Sequence, residues 1–126
     1  MDNTIYFSIP GFHFRSGANA IFFSYMDANR DLFYDDVKIT SCYDSFPCIW
    51  NGGRIKFGDF SDDEVRNTVL LYNSRGISLR YTFTNCLLEE KHLDDKNGNT
   101  ILDITRKYQL IPNGVNINSP LLMKYI

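Results

Sequence analysis

The 126-residue sequence is poor in the residues that most often announce chemistry: three cysteines, two histidines and one tryptophan. Cys42, Cys48 and Cys86 are odd in number, and no Cys-x-x-Cys pair occurs. An odd set without a secretory leader reads as reduced thiols in a cytoplasm, not as a disulfide framework. Five residues separate Cys42 from Cys48, and no second pair accompanies them, so zinc spacing is missing too. No window approaches the roughly 18 apolar residues of a membrane helix. The start, Met1-Asp2-Asn3-Thr4, has neither the basic region nor the apolar stretch of a signal peptide. An excess of positive charge is lacking as well. The formal net charge is −2, and the basic residues (Arg15, Arg54, Arg80 and Lys91 among them) form no run longer than two. A general nucleic-acid binder needs a clustered positive surface, so direct nucleic-acid binding is not expected.

What is present is globular. The chain is 44% hydrophobic and 22% charged, both ordinary values for a folded domain. Its length suits one domain over 1–126, large enough to bury roughly two-thirds of its unfolded surface.

The pattern along the chain repeats. Thr4–Ile9 is aromatic and β-branched and stops at Pro10-Gly11, as a buried strand does. A helix follows over about 17–33, with Ala18, Ile21, Phe22, Tyr25, Leu32 and Phe33 approximating one apolar stripe. A second strand spans 37–42. The stretch 43–60 is irregular, with Pro47, Asn51-Gly52-Gly53 and Gly58, and 54–57 alternates as a short extra strand would. Ser61 with Glu64 three residues later is a capping box, with Asp62 and Asp63 suiting the helix dipole; Gly76 ends that helix. A strand over 77–83, a polar loop, a helix over about 100–108, a strand over 115–118 and a helix opened by Ser119-Pro120 complete the chain. The order is βαβαβαβα: an α/β fold of four βα units with a mostly parallel sheet, half of a TIM barrel in extent. Such a half-barrel leaves two open edge strands and a concave face expected to be apolar. Flattening of the sheet, a homodimer, or a protein partner on that face are the three remedies.

Five segments carry a resemblance. Ile9-Pro10-Gly11-Phe12, Trp50-Asn51-Gly52-Gly53-Arg54, Arg80-Tyr81-Thr82-Phe83-Thr84-Asn85, Leu87–Leu93 and Asn118-Ser119-Pro120-Leu121-Leu122 resemble the first half of a family of uncharacterised Firmicute proteins. Those relatives look like full TIM barrels, distantly similar to the U32 peptidase barrels. The resemblance spans this whole chain, which stops after the fourth unit. It implies a half-barrel without the relatives' second, cysteine-rich half. In overall look the chain is also similar to the small phage-encoded inhibitors called type VI-A anti-CRISPR proteins. That resemblance implies an inhibitor of an RNA-guided RNase in the cytoplasm of a bacterial host, and carries over no individual residue.

In βα folds, working residues follow the C-terminal ends of strands. His13, Cys42, Asp44 and Asn85 fall there, with Ser41, Thr84, Cys86, Asn118 and Ser119. Cys42, His13 and Asp44 would supply nucleophile, base and orienting group if the chain were an enzyme; a buried structural Cys42 is the commoner outcome. Asp94–Asn99 fails as a calcium loop, because Leu93 and Ile104 fall where the first and last ligands belong, and reads as a solvated turn. Asn51–Arg54 reads as a tight turn or a phosphate cradle. Phe46-Pro47-Cys48-Ile49-Trp50 is an aromatic segment in a long loop: either a partner anchor or a plug over the end of the sheet. The reading for function is a non-enzymatic inhibitor. It would bind a host protein, such as a type VI-A nuclease, through Phe46, Ile49 and Trp50 and the acidic Asp62, Asp63, Glu64, Glu89 and Glu90. No cofactor and no metal are expected. The alternatives are a hydrolase-like half-barrel completed by homodimerisation and a remnant of a larger barrel.

Overall fold

Runs rich in β-branched and aromatic residues form β1 (Ile5–Pro10), β2 (Val37–Asp44), β3 (Ser78–Phe83) and β4 (Gly114–Ile117). Between and after them lie α1 (Ser16–Ala28), α2 (Asp62–Ser74), α3 (Lys96–Tyr108) and α4 (Pro120–Tyr125), with single 3-10 turns at Arg30–Leu32 and Glu90–His92. The computed structural model describes residues 3–52 and 58–126; the short strand expected over 54–57, and the Gly53-Arg54 half of the Asn51–Arg54 turn, lie outside them. Among the described residues no helix is long and apolar enough to cross a membrane.

The four strands make one parallel sheet in the order β1-β2-β3-β4. This is the order of four successive strands in a (β/α) barrel, and it matches the four βα units expected from the sequence. The register shifts between Phe7 and Ser8, where Phe7 pairs with Ile39 but Ser8 with Ser41. Cys42 then stands beside Leu79, and Tyr81 beside Val115.

Strand alternation gives the sheet two unlike faces. Leu79, Tyr81 and Phe83 are buried toward the helices, with Ile9, Val115 and Ile117 packed alongside. The opposite face carries Ser8, Ser41, Tyr43, Arg80, Thr82 and Asn116. The Ser41 hydroxyl donates to Ser8 across it at 2.8 Å. The expected apolar concave face is therefore mixed: Tyr6 and Tyr43 are exposed on it among the polar side chains, as suits a face with no second layer over it.

Caps fix the helix starts. Ser61 and Glu64 form the expected reciprocal capping box at α2. Gly76, at φ +73°, supplies the left-handed residue just past its end. Ser119 accepts from the Leu122 N–H at the start of α4. Three expectations fail. Strand β1, read as buried, is exposed from Ile5 to Ser8, because it lies at the end of the strand order with a neighbour on one side only among the described residues. Helix α3 begins at Lys96, so Asp94–Asn99 is no solvated turn: Asp95 caps the helix by accepting the Gly98 N–H at 2.7 Å. Helix α1 also turns its expected stripe outward. Only Phe23 is buried there, packed edge-on against Tyr72, while Ile21, Phe22 and Tyr25 stay exposed.

The core is one cluster that joins Phe12, Phe23, Tyr72 and Val69 to Leu79, Tyr81, Phe83, Ile101 and Leu122. Phe12 lies at its centre, in ring contact with Phe46, Tyr72 and Tyr81.

Candidate functional site

The rim at the C-terminal ends of the strands is where a βα fold assembles chemistry, and it is where His13, Cys42, Asp44 and Asn85 were expected to converge. The structure brings three of them close and assigns each a structural task.

Asp44 ends β2 and is nearly buried. Its Oδ2 accepts the backbone N–H groups of His13, at 3.0 Å, and Phe14, at 2.8 Å; Oδ1 accepts that of Ser45 at 2.9 Å. A carboxylate holding three backbone donors ties the β1–α1 turn to the end of β2. His13 therefore meets Asp44 through its backbone. Its ring lies against Phe46 instead, with centroids 4.5 Å apart.

Cys42 has no exposed surface. Burial pushes its thiol up to about 12, against an ordinary value of 9.0. A thiol held that high carries almost no thiolate at neutral pH, and the thiolate is the nucleophile. The Asn19 amide lies 3.9 Å from the sulfur. That amide also donates to the carbonyls of Pro10 and Gly11 and to the Tyr72 hydroxyl at 2.9 Å. The nucleophile–base–orienter arrangement is thus corrected. The sulfur is a small apolar filler, the imidazole lies on a ring, and the carboxylate is a loop anchor.

Asn85 is a clamp. Its amide donates to the Ile49 carbonyl at 2.8 Å, its backbone N–H to the Trp50 carbonyl at 3.0 Å, and its Oδ1 accepts from Leu87. The loop it clamps is the aromatic segment. Phe46 and Trp50 have no exposed surface, so they cannot anchor a partner as expected. They plug the end of the sheet. Trp50 packs edge-on against Phe83 and Tyr125, and its indole N–H donates to the His92 carbonyl at 2.8 Å. The physical reason is area: two large rings gain more from the core than from a loop in water. Only Ile49, about one-third exposed, remains at the surface.

The acidic residues do stand at the rim. Asp62, Asp63 and Glu64 open α2, which follows β2; Glu89 and Glu90 lie in the loop after β3; all five are exposed. Glu64 is occupied by the capping box, and Asp63 pairs with Arg66 at 3.1 Å. Lys91 beside Glu89, at 2.8 Å, lowers the Glu89 pKa from its ordinary value.

Across the ends of β1, β2 and β3 the rim opens into a cleft of about 500 Å³ lined by Pro10, Gly11, Phe14, Arg15, Tyr43, Asp44 and Thr82. Phe14 and Tyr43 present aromatic surface there and Arg15 one positive charge. No cysteine or histidine lines it. Among the described residues no three His, Cys, Asp or Glu side chains are grouped to hold a metal ion.

Asn19 carried no signal in the sequence, and neither did a reciprocal amide pair, Asn73 with Asn113, bonded both ways at 2.9 Å. That pair joins α2 to the start of β4, and Asn113 also accepts the Leu79 N–H. The exposed face of α1 did leave a trace, the Ala18, Ile21, Phe22, Tyr25 stripe, which periodicity alone cannot orient.

In comparisons with known proteins, the chain matches no family model, no curated protein and no solved structure.

Proposed function

We propose that this chain works by binding another protein, not by catalysis, and that the working surface is the acidic rim. The observation that supports this most is the division of labour at the rim. Cys42, Asp44 and Asn85 are each committed to packing or backbone anchoring, whereas five exposed carboxylates stand on the loops and helix start beside them: Glu64 caps α2, Asp63 and Glu89 pair with Arg66 and Lys91, and Asp62 and Glu90 carry charge without an ion-pair partner among the described residues. Charge of one sign gathered at one edge steers and selects a partner of the opposite sign. A protein with a basic groove, such as an RNA channel, has that complementarity. The most concrete form of the reading is inhibition of a type VI-A RNA-guided RNase. An inhibitor of this kind would occupy the channel in place of RNA.

The test is light scattering of the chain mixed with the guide-loaded type VI-A nuclease, with RNA cleavage followed in parallel. A shift of the nuclease to a heavier species together with loss of cleavage supports the proposal. Separate species at micromolar concentration with cleavage intact overturn it. Binding should weaken as salt rises from about 50 to about 300 mM, because exposed charges are screened within a Debye length.

A further inference from the structure

Helix α1 and strand β1 present an uncovered face that the proposed rim does not use. In the strand order β1 lies at one end of the sheet, with β2 on one side and no strand beyond it among the described residues. Ile5 and Phe7 of β1 are 52% and 49% exposed; Ile21, Phe22 and Tyr25 of α1 are 74%, 38% and 53% exposed; Leu32 just after the helix is 63% exposed. Phe33 packs edge-on against both Phe22 and Tyr25, which holds those rings in place on the outer side of the helix. The face opposite them on α1 is the one that meets the body of the protein, through Phe23 and through Asp27 bonded to Arg75. A helix whose apolar stripe points away from its own core is built to be covered.

We propose that a second copy of this chain covers this face, with β1 pairing antiparallel to β1 of the partner copy and α1 packing on its counterpart across a two-fold axis. Three observations select that occupant. The first is area. The six side chains leave roughly 700 Å² exposed per copy, so complete burial of all of them in a pair would remove about 1,400 Å², inside the span of stable interfaces. The second is charge. A two-fold interface sets each residue near its own copy, so a charged patch would repel itself. Across β1 and α1 the one ionised side chain is Asp27, which Arg75 neutralises at 2.7 Å, and the turn that carries Leu32 adds one charge of each sign, Arg30 and Asp31. The third is the strand edge. β1 carries no Lys, no Glu and no mid-strand Pro, the residues that normally blunt an exposed edge. The resulting sheet has eight strands, with all helices on one side. Closing the two copies into a barrel is the poorer arrangement, because it would enclose Arg80, Ser8, Ser41 and Asn116 in the barrel interior.

The measurement is the mass of the full chain by light scattering at about 100 µM, above the micromolar dissociation constant that an interface of this area reaches at its weakest. The expected result is twice 14.6 kDa. Ile21→Lys and Tyr25→Lys, both on exposed positions, are expected to halve that mass with unchanged circular dichroism. Leu87→Lys, at an 81% exposed position in the β3–α3 loop, leaves the dimer intact. A monomer at this concentration overturns the proposal, and so does a dimer indifferent to both α1 substitutions. The nuclease plays no part in this measurement, so it stands or falls apart from the proposed function.

Discussion

The ring of Trp50 occupies the space that a side chain on Gly98 would need: a β-carbon built there falls 2.5 Å from Cε3 and 2.6 Å from Cδ2. Gly98 lies inside the first turn of α3, where glycine is ordinarily unfavourable. Its presence lets the plug of the β2–α2 loop press directly on the helix backbone.

Gly98→Ala is therefore expected to destabilise the fold, although alanine is the better helix former. The added methyl must displace a buried indole that is also hydrogen-bonded to the His92 carbonyl. Overpacking of this kind costs about 1–3 kcal/mol, against roughly 1 kcal/mol gained from helix propensity. Urea denaturation followed by tryptophan fluorescence checks it. A midpoint that rises would show that Trp50 is free to move.

The buried thiols make stability fall in alkali. Burial pushes Cys42 and Cys48 up to about 12 from 9.0, and Tyr72 up to about 12 from 10.0. Buried Tyr81, bonded to Thr105, is raised as well. Above pH 9 the unfolded chain sheds protons that the folded chain keeps, so its contribution to stability is complete below pH 9 and drains away as pH climbs toward 12. Urea midpoints at about pH 8 and about pH 10.5 should decline, and the decline should be shallower in a Cys42→Ala, Cys48→Ala variant. Equal slopes in the two proteins would place the loss elsewhere.

The same burial predicts thiol reactivity. Cys42 and Cys48 are buried and Cys86 is exposed. An aromatic disulfide reagent should label Cys86 at once in the native protein and the other two only in denaturant. Rapid native labelling of Cys42 would revive it as a nucleophile.

Asp44→Ala removes the acceptor of three backbone N–H groups, on His13, Phe14 and Ser45. The expected cost is about 2–4 kcal/mol, since hydrogen bonds to a charged group are stronger than neutral ones and buried donors are left unpaired. Hydrogen exchange should quicken at His13, Phe14 and Ser45 first. Binding by the variant, under conditions where it is folded, should persist, because Asp44 is an anchor and not a contact.

Local signals and tertiary ones fared differently. The capping box at Ser61 and Glu64, the stop at Gly76 and the Ser119-Pro120 helix start are short-range devices, and each lies where the residues placed it. The alternation of strands and helices was legible for the same reason. The start of α3 was not, because Gly98 in a helix makes sense only once Trp50, 48 positions earlier, lies against it. The fate of Phe46 and Trp50 likewise depends on whether a pocket exists to receive them. At the rim, residue types named a plausible triad, but only the fold shows that the Asp44 carboxylate meets the His13 backbone and not its ring.

On the proposed function, the rim binds through its carboxylates and Cys42 does no chemistry. The most direct test compares the affinity of three proteins for the type VI-A nuclease: the parent chain, Cys42→Ala, and the charge reversal Asp62→Lys with Glu90→Lys, which spares the Glu64 cap. The parent and Cys42→Ala are expected to bind alike, while the charge reversal weakens binding by a factor of about ten or more. No binding by the parent, or binding that survives charge reversal and disappears with Cys42→Ala, would contradict it.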